Sequence, residues 1–204
     1  MATDSEHAVY QIKVTLDGIR PAIWRRLLVP ASIALEGLHD VLQVAFGWSD
    51  SHLHEFEARG VHYGQPDSEL EMERVDERRI ALEEVLRKPK ETMNYEYDFG
   101  DSWMHRVVLE TVLANRESQD TLSCIAGERA APPEDCGGPW RYAELLNALS
   151  DPSNTEHAEM LEWIGDDFDP EHFELAEVNK VLAAMKRRGL TTRSRATGRK
   201  RPAR

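Results

Sequence analysis

The chain has 204 residues, enough for one domain with a sizeable core, and its 41% hydrophobic and 30% charged side chains are ordinary for a soluble globular protein. No apolar run approaches the roughly 18 residues that span a bilayer, and the opening MATDSEHAVY lacks a basic or apolar leader region, so a cytoplasmic protein with no membrane partner is expected. The net charge of −12 is unevenly spread: Lys186 to Arg204 holds nine Lys or Arg and no acid, leaving 16 basic against 37 acidic residues before it.

Residues 8–16 alternate, with Tyr10, Ile12, Val14 and Leu16 on one face, and predict a half-buried strand that turns at Asp17-Gly18. A second strand is expected over 22–29, with Ile23, Leu27 and Val29 inward; of Arg25 and Arg26 in its middle, at least one must face solvent or a carboxylate. Leu35, Leu38, Val41, Leu42 and Ala45 then recur at helical spacing over 33–46, and Gly47 suits the residue past the helix end. Residues 52–58 read as a strand, 59–78 as a polar segment and 80–86 as a short helix stopped by Pro89. The clearest hairpin spans 93–111, where a Gly100-Asp101-Ser102 turn would pair Phe99 with Trp103, Tyr97 with His105 and Tyr95 with Val107. Residues 115–138 look irregular, and helices are expected near 139–149, 155–164 and 174–188. Strands first and helices afterwards indicate an α+β fold: a mainly antiparallel sheet with a packed helix, followed by a helical C-terminal segment. A single domain over 8–188 accommodates these elements, sheet-rich to about 112, with a loop over 113–138, helices over 139–188 and a basic, disordered tail over 189–204.

The block Phe-Gly-x-x-Asp-Ser-x-x-His occurs as Phe46 to His54 and, shortened, as Phe99 to His105. On a strand, His52 and His54 would share a face because side chains repeat every second residue. If their strand neighbours that of His105, then His52, His54, His105 and Asp101 could hold a divalent ion, with Asp98 and the 132–140 loop beside them. The plainer reading places His105 among aromatic side chains, bonded to a carbonyl, and makes each Asp-Ser an ordinary turn. No other cofactor is indicated. Cys124 and Cys136 lack the close spacing of a zinc pair and read as inert buried thiols. FGDS at 99–102 and Asp169-Pro-Glu-His172 resemble the blocks of GDSL-type esterases, but a tight hairpin is the wrong setting for that nucleophile. An acidic body repels phosphate, so any nucleic-acid contact falls to Arg187, Arg188, Arg193, Arg195, Arg199, Lys200 and Arg201. The bland alternative for these residues is a solubilising terminus.

Four stretches, YQIKVTLDGIRPAIWRRLLVP, LHDVLQVAFGWSDSHLHEF, YEYDFGDSWMHRVVLE and CIAGERAAPPEDCGGPWRYAELLNAL, together resemble the plasmid pRiA4b ORF-3-like family over residues 8 to 185. The resemblance implies a single α+β domain of the MM3350-like type and no particular activity. Some relatives are labelled transposon resolvases, yet this chain lacks the catalytic-serine region and the helix-turn-helix of a serine resolvase. Relatives often carry cysteine at the position of Ala131, so a three-cysteine loop is incomplete here. The expected function is a non-enzymatic accessory or interaction domain linked to plasmids or mobile elements. A metal-dependent hydrolase or nuclease, and a nucleic-acid binder using its tail, are the alternatives.

Overall fold

The computed structural model describes residues 8–66, 74–113, 122–165 and 168–188. The strands are β1 (Val9–Leu16), β2 (Trp24–Pro30), β3 (His54–Ala58), β4 (Val61–Gly64), β5 (Val75–Asp76), β6 (Thr92–Tyr97), β7 (Trp103–Leu113) and β8 (Ser123–Glu128). The helices are α1 (Leu35–Phe46), α2 (Leu82–Val85), α3 (Gly138–Ser150), α4 (His157–Ile164) and α5 (Leu175–Arg188). The strands form one sheet in the order β5-β4-β3-β6-β7-β1-β2-β8. Every pairing is antiparallel except β4 with β5, so the fold is α+β with its helices concentrated toward the C-terminus.

Alternation decides the buried face. Tyr10, Ile12, Val14 and Leu16 of β1 join Leu27 and Val29 of β2, Met93, Tyr95 and Tyr97 of β6, and Trp103, Val107 and Leu109 of β7 in one core. Leu35, Leu38, Val41, Leu42, Ala45 and Phe46 of α1 close over it, and the helix stops at Gly47, whose φ of 76° is the left-handed cap the sequence called for. Arg25 is buried. Its guanidinium donates to the carbonyls of Trp24, Ala45, Glu128 and Arg129 and lies between the rings of Phe46 and Phe173. Burial lowers its pKa to about 10, still far above neutrality. Arg26 points the other way, into a bidentate pair with Glu110.

The sheet differs from the sequence reading in two respects. First, β8 lies inside the segment expected to be irregular, and β4 and β5 lie inside the polar segment. At four and two residues β4 and β5 are too short to show alternation, and SCIAGE of β8, on the sheet edge, has no regular apolar alternation. The outer backbone of β8 is covered by Asn179 of α5, whose side chain accepts from Cys124 N and donates to Cys124 O, both at 2.8 Å. Second, the hairpin pairs Tyr97 with Trp103, Tyr95 with His105 and Met93 with Val107, two residues away from the expected register. The turn is five residues long: Asp98 and Ser102 take φ of 57° and 53°, Asp98 Oδ1 accepts from Gly100 N and Asp101 N, and Ser102 N donates to Asp98 O. A shift of two keeps every side chain on its face, so alternation could not reveal it.

Candidate functional site

That five-residue turn sets the site. Asp101 turns its carboxylate outward, where Oδ2 accepts from Gly137 N at 3.0 Å. Gly138, at φ 80°, comes so close that a Cβ there would lie 2.5 Å from Asp101 O. Further along the 132–138 loop, Pro132 O accepts from Trp48 Nε1, and Glu134 Oε1 accepts from Ser49 N, Ser49 Oγ and the Tyr97 hydroxyl. Asp101 is therefore a loop anchor, and the Gly-Gly pair is what lets the loop approach the hairpin.

Docked this way, the loop brings Glu134 and Asp135 to His52. His52 Nε2 lies 3.1 Å from Asp135 Oδ1, 3.6 Å from Asp98 Oδ2 and 3.6 Å from Glu134 Oε2. The nitrogen is shut off from solvent, and none of these contacts has hydrogen-bond geometry among the described residues. One donor atom each from His52, Asp98 and Asp135 lies within 4.8 Å of the others, close enough for a metal ion. Asp98 is buried and Asp135 is 73% exposed, so the cluster spans the boundary between core and solvent. Burial and the Glu134 carboxylate raise the Tyr97 hydroxyl to about 12, leaving it a neutral donor to Glu134. Asp135 also lines a cavity of about 310 Å³ with Cys136, Arg141, Met160 and the half-exposed Trp163.

The expected joint site of His52, His54, His105 and Asp101 is not what the structure assembles. β3 begins at His54, so His52 sits in the preceding bend and its ring goes to a different cluster. β6 lies between β3 and β7, with His54 opposite Tyr97 and His105 opposite Tyr95. Two strand spacings, about 9.5 Å, thus separate the backbones that carry His54 and His105. His105 is fully enclosed by Phe46, Trp48 and Tyr95, with Nδ1 on Tyr95 O at 3.2 Å. Burial pushes its pKa down to about 3, so it is a neutral core residue. This matches the plainer of the two readings.

His54 instead stacks on His39 of α1, with ring centres 3.5 Å apart and planes 6° from parallel. His54 Nε2 lies 2.9 Å from Glu77 Oε2; His39 Nε2 lies 2.9 Å from Asp50 Oδ1, and His39 Nδ1 lies 2.8 Å from the Tyr95 hydroxyl. Gln43 ties the assembly together, donating to the Tyr95 hydroxyl and accepting from Asp50 N. Burial first, and the neighbouring His54 second, lower the His39 pKa to about 4. Asp50 reaches the wall of a cleft of about 770 Å³ lined by residues of α1 and α5. On the same wall Asp40 has its pKa raised to about 6 by partial desolvation and by Asp50 and Glu36.

The remaining candidates lie apart from both clusters. Cys124 is buried and Cys136 half-buried, both as free thiols; burial raises both, Cys136 to about 12 with Asp101 adding to it. Ser102 donates to Glu96 in its turn, and His172 N bonds Asp169 O within its own turn, so neither builds an esterase-like triad. Arg187 is exposed at the end of α5, which closes at Arg188; Arg193, Arg195, Arg199, Lys200 and Arg201 lie outside the described residues.

Residues 8–177 match the family described as plasmid pRiA4b ORF-3-like protein. The chain belongs to that family. Within its reach, the uncharacterized protein y4hQ of Sinorhizobium fredii (strain NBRC 101917 / NGR234) is 40% identical over 153 residues, covering 74% of this chain and 78% of y4hQ. The crystal structure of MM3350 from Methanosarcina mazei Go1, a protein of unknown function, superposes with a TM-score of 0.77 at 37% identity, covering 84% of this chain and 97% of MM3350. The pRiA4b ORF-3-like relationship carries the fold and a plasmid association by name, and assigns no chemistry to either cluster.

Several cluster members escaped the sequence reading. His39 interrupts the otherwise apolar stripe of Leu35, Leu38 and Leu42, and a polar residue on a buried helix face was the available signal. Glu134 and Asp135 were legible only as part of the 132–140 loop placed beside the candidate residues, with no ligand role of their own. Glu77, in the short 3-10 turn after β5, left no pattern at all.

Proposed function

We propose that this chain is a cation-dependent interaction domain of the plasmid-related family, with a hard divalent cation held by His52, Asp98, Glu134 and Asp135. The observation that carries the reading is the convergence of one imidazole and three carboxylates, from three separate segments, on a single nitrogen-to-oxygen distance range of 3.1–3.6 Å. Three carboxylates with one histidine favour an oxygen-preferring ion such as Mn²⁺ or Mg²⁺. A bound cation would also relieve the mutual repulsion of the carboxylates. The exposed Asp135 side leaves room for water or for an oxygen group of a partner, and the neighbouring cavity supplies Arg141 and Trp163 for further contact.

Isothermal titration of metal-free protein with Mn²⁺ tests this. One ion per chain is expected, with binding lost in Asp98→Asn and Glu134→Gln. A heat trace no different from buffer dilution rejects the site. The competing reading, a metal-dependent hydrolase or nuclease, rests on the same open coordination side. His52-dependent turnover of an activated phosphodiester or ester by the loaded protein would replace the interaction reading with that one.

A further inference from the structure

We propose a second, buried site for a divalent transition-metal ion of the Zn²⁺ type, formed by His39, His54, Asp50 and Glu77 and separate from the His52 centre. One donor atom each of His39, Asp50 and His54 lies within 4.8 Å of the other two. Tetrahedral donors at bonds of about 2.0–2.2 Å sit a little over 3 Å apart, so binding draws these three donors together around the ion and leaves the fourth position to Glu77. The two imidazoles come from different elements, α1 and β3, yet lie face to face at 3.5 Å. The lone pair of an imidazole nitrogen lies in its own ring plane, so one ring turns out of the stack when both nitrogens bind the same ion.

Glu77 supplies the independent observation. It is 0% exposed, its Oε2 is 2.9 Å from His54 Nε2, and its Oε1 has no hydrogen-bond partner among the described residues. An enclosed carboxylate oxygen without a donor is costly unless a cation satisfies it. An ion bound to His54 Nε2 would meet the Glu77 carboxylate, whose Oε2 lies 2.9 Å from that nitrogen. The outer contacts are also those of a metal shell: Tyr95 holds the far nitrogen of His39 and Gln43 holds Tyr95, which fixes the ring that would ligate. Asp50 offers the entry path, since its side chain is 59% exposed and lines the cleft between α1 and α5. Two imidazoles and two carboxylates select Zn²⁺, Co²⁺ or Fe²⁺ over Mg²⁺ and Ca²⁺.

The test is Co²⁺ titration of metal-free full-length protein carrying His52→Ala, a background that silences the surface centre so that the two sites succeed or fail separately. One Co²⁺ per chain is expected, with the visible absorption of a low-coordinate nitrogen–oxygen site that Zn²⁺ displaces. Outer-shell changes weaken metal sites by about 10–100-fold, so His39→Ala and His54→Ala should weaken binding by ~100-fold or more and the near-isosteric Glu77→Gln by at least ~10-fold. No visible band at saturating Co²⁺ overturns the proposal, as does a Glu77→Gln protein with unchanged affinity. If a histidine variant does not fold, the parent spectrum and Glu77→Gln decide alone.

Discussion

At the scale of single residues, the histidines show how environment overrides motif. His52, His54 and His105 share a repeated sequence block, but one meets carboxylates at the surface, one stacks on a second histidine, and one is sealed among aromatic rings. His105 makes a definite pH prediction. Its folded pKa of about 3 is below the ordinary 6.5, so the unfolded chain takes up a proton that the folded chain refuses. The stability it contributes is full above about pH 6.5 and is lost as pH falls toward 3, at about 1.4 kcal/mol per unit. His105→Leu should move the acid-unfolding midpoint to lower pH, by circular dichroism; an unmoved midpoint would contradict the assignment. Arg25 is the other residue whose role is fixed by its partners. Arg25→Lys strands the carbonyls of Ala45, Glu128 and Arg129 and should lose about 2–4 kcal/mol in urea denaturation.

Among the elements, the sequence made the long, periodic ones plain and the short ones opaque. The stripe of α1 and its Gly47 stop, the alternation of β1 and the three C-terminal helices all follow from patterning that extends over two or more turns or strand repeats. The β6–β7 register was misread because the deciding information lay in Asp98 and Ser102, two non-glycine residues in left-handed conformations that no composition rule marks. The site depended on that same turn. Asp98 faces His52 only because it is a turn residue and not a strand residue, and Asp101 is the anchor for the loop that carries Glu134 and Asp135. Gly138→Ala should therefore act at a distance: with φ 80° and no room beside Asp101 O, the substitution must displace the loop. Mn²⁺ affinity should drop about tenfold or more while the far-UV spectrum is retained, and unchanged affinity would show that the loop docks without needing that glycine.

For the molecule as a whole, charge and family set the frame. The acidic body disfavours phosphate, and the acid-free run of nine Lys or Arg begins at Lys186 near the end of α5, so any nucleic-acid contact is expected at Arg187 and the residues beyond it. Truncation after Met185 should abolish any salt-sensitive DNA or RNA binding in a gel-shift or anisotropy assay; binding that survives truncation would remove the tail from the account. No helix among the described residues is long and apolar enough to cross a membrane. Membership of the plasmid pRiA4b ORF-3-like family and the match to MM3350 fix the architecture, and the function now turns on whether the His52 cluster is a cation site or a set of surface ion pairs. Electron paramagnetic resonance of Mn²⁺ added to metal-free protein separates these directly. The account predicts a bound Mn²⁺ signal of one ion per chain that persists in His39→Ala and disappears in His52→Ala and Glu134→Gln; Mn²⁺ that stays free with the parent protein, or binds the His52→Ala protein equally well, contradicts it.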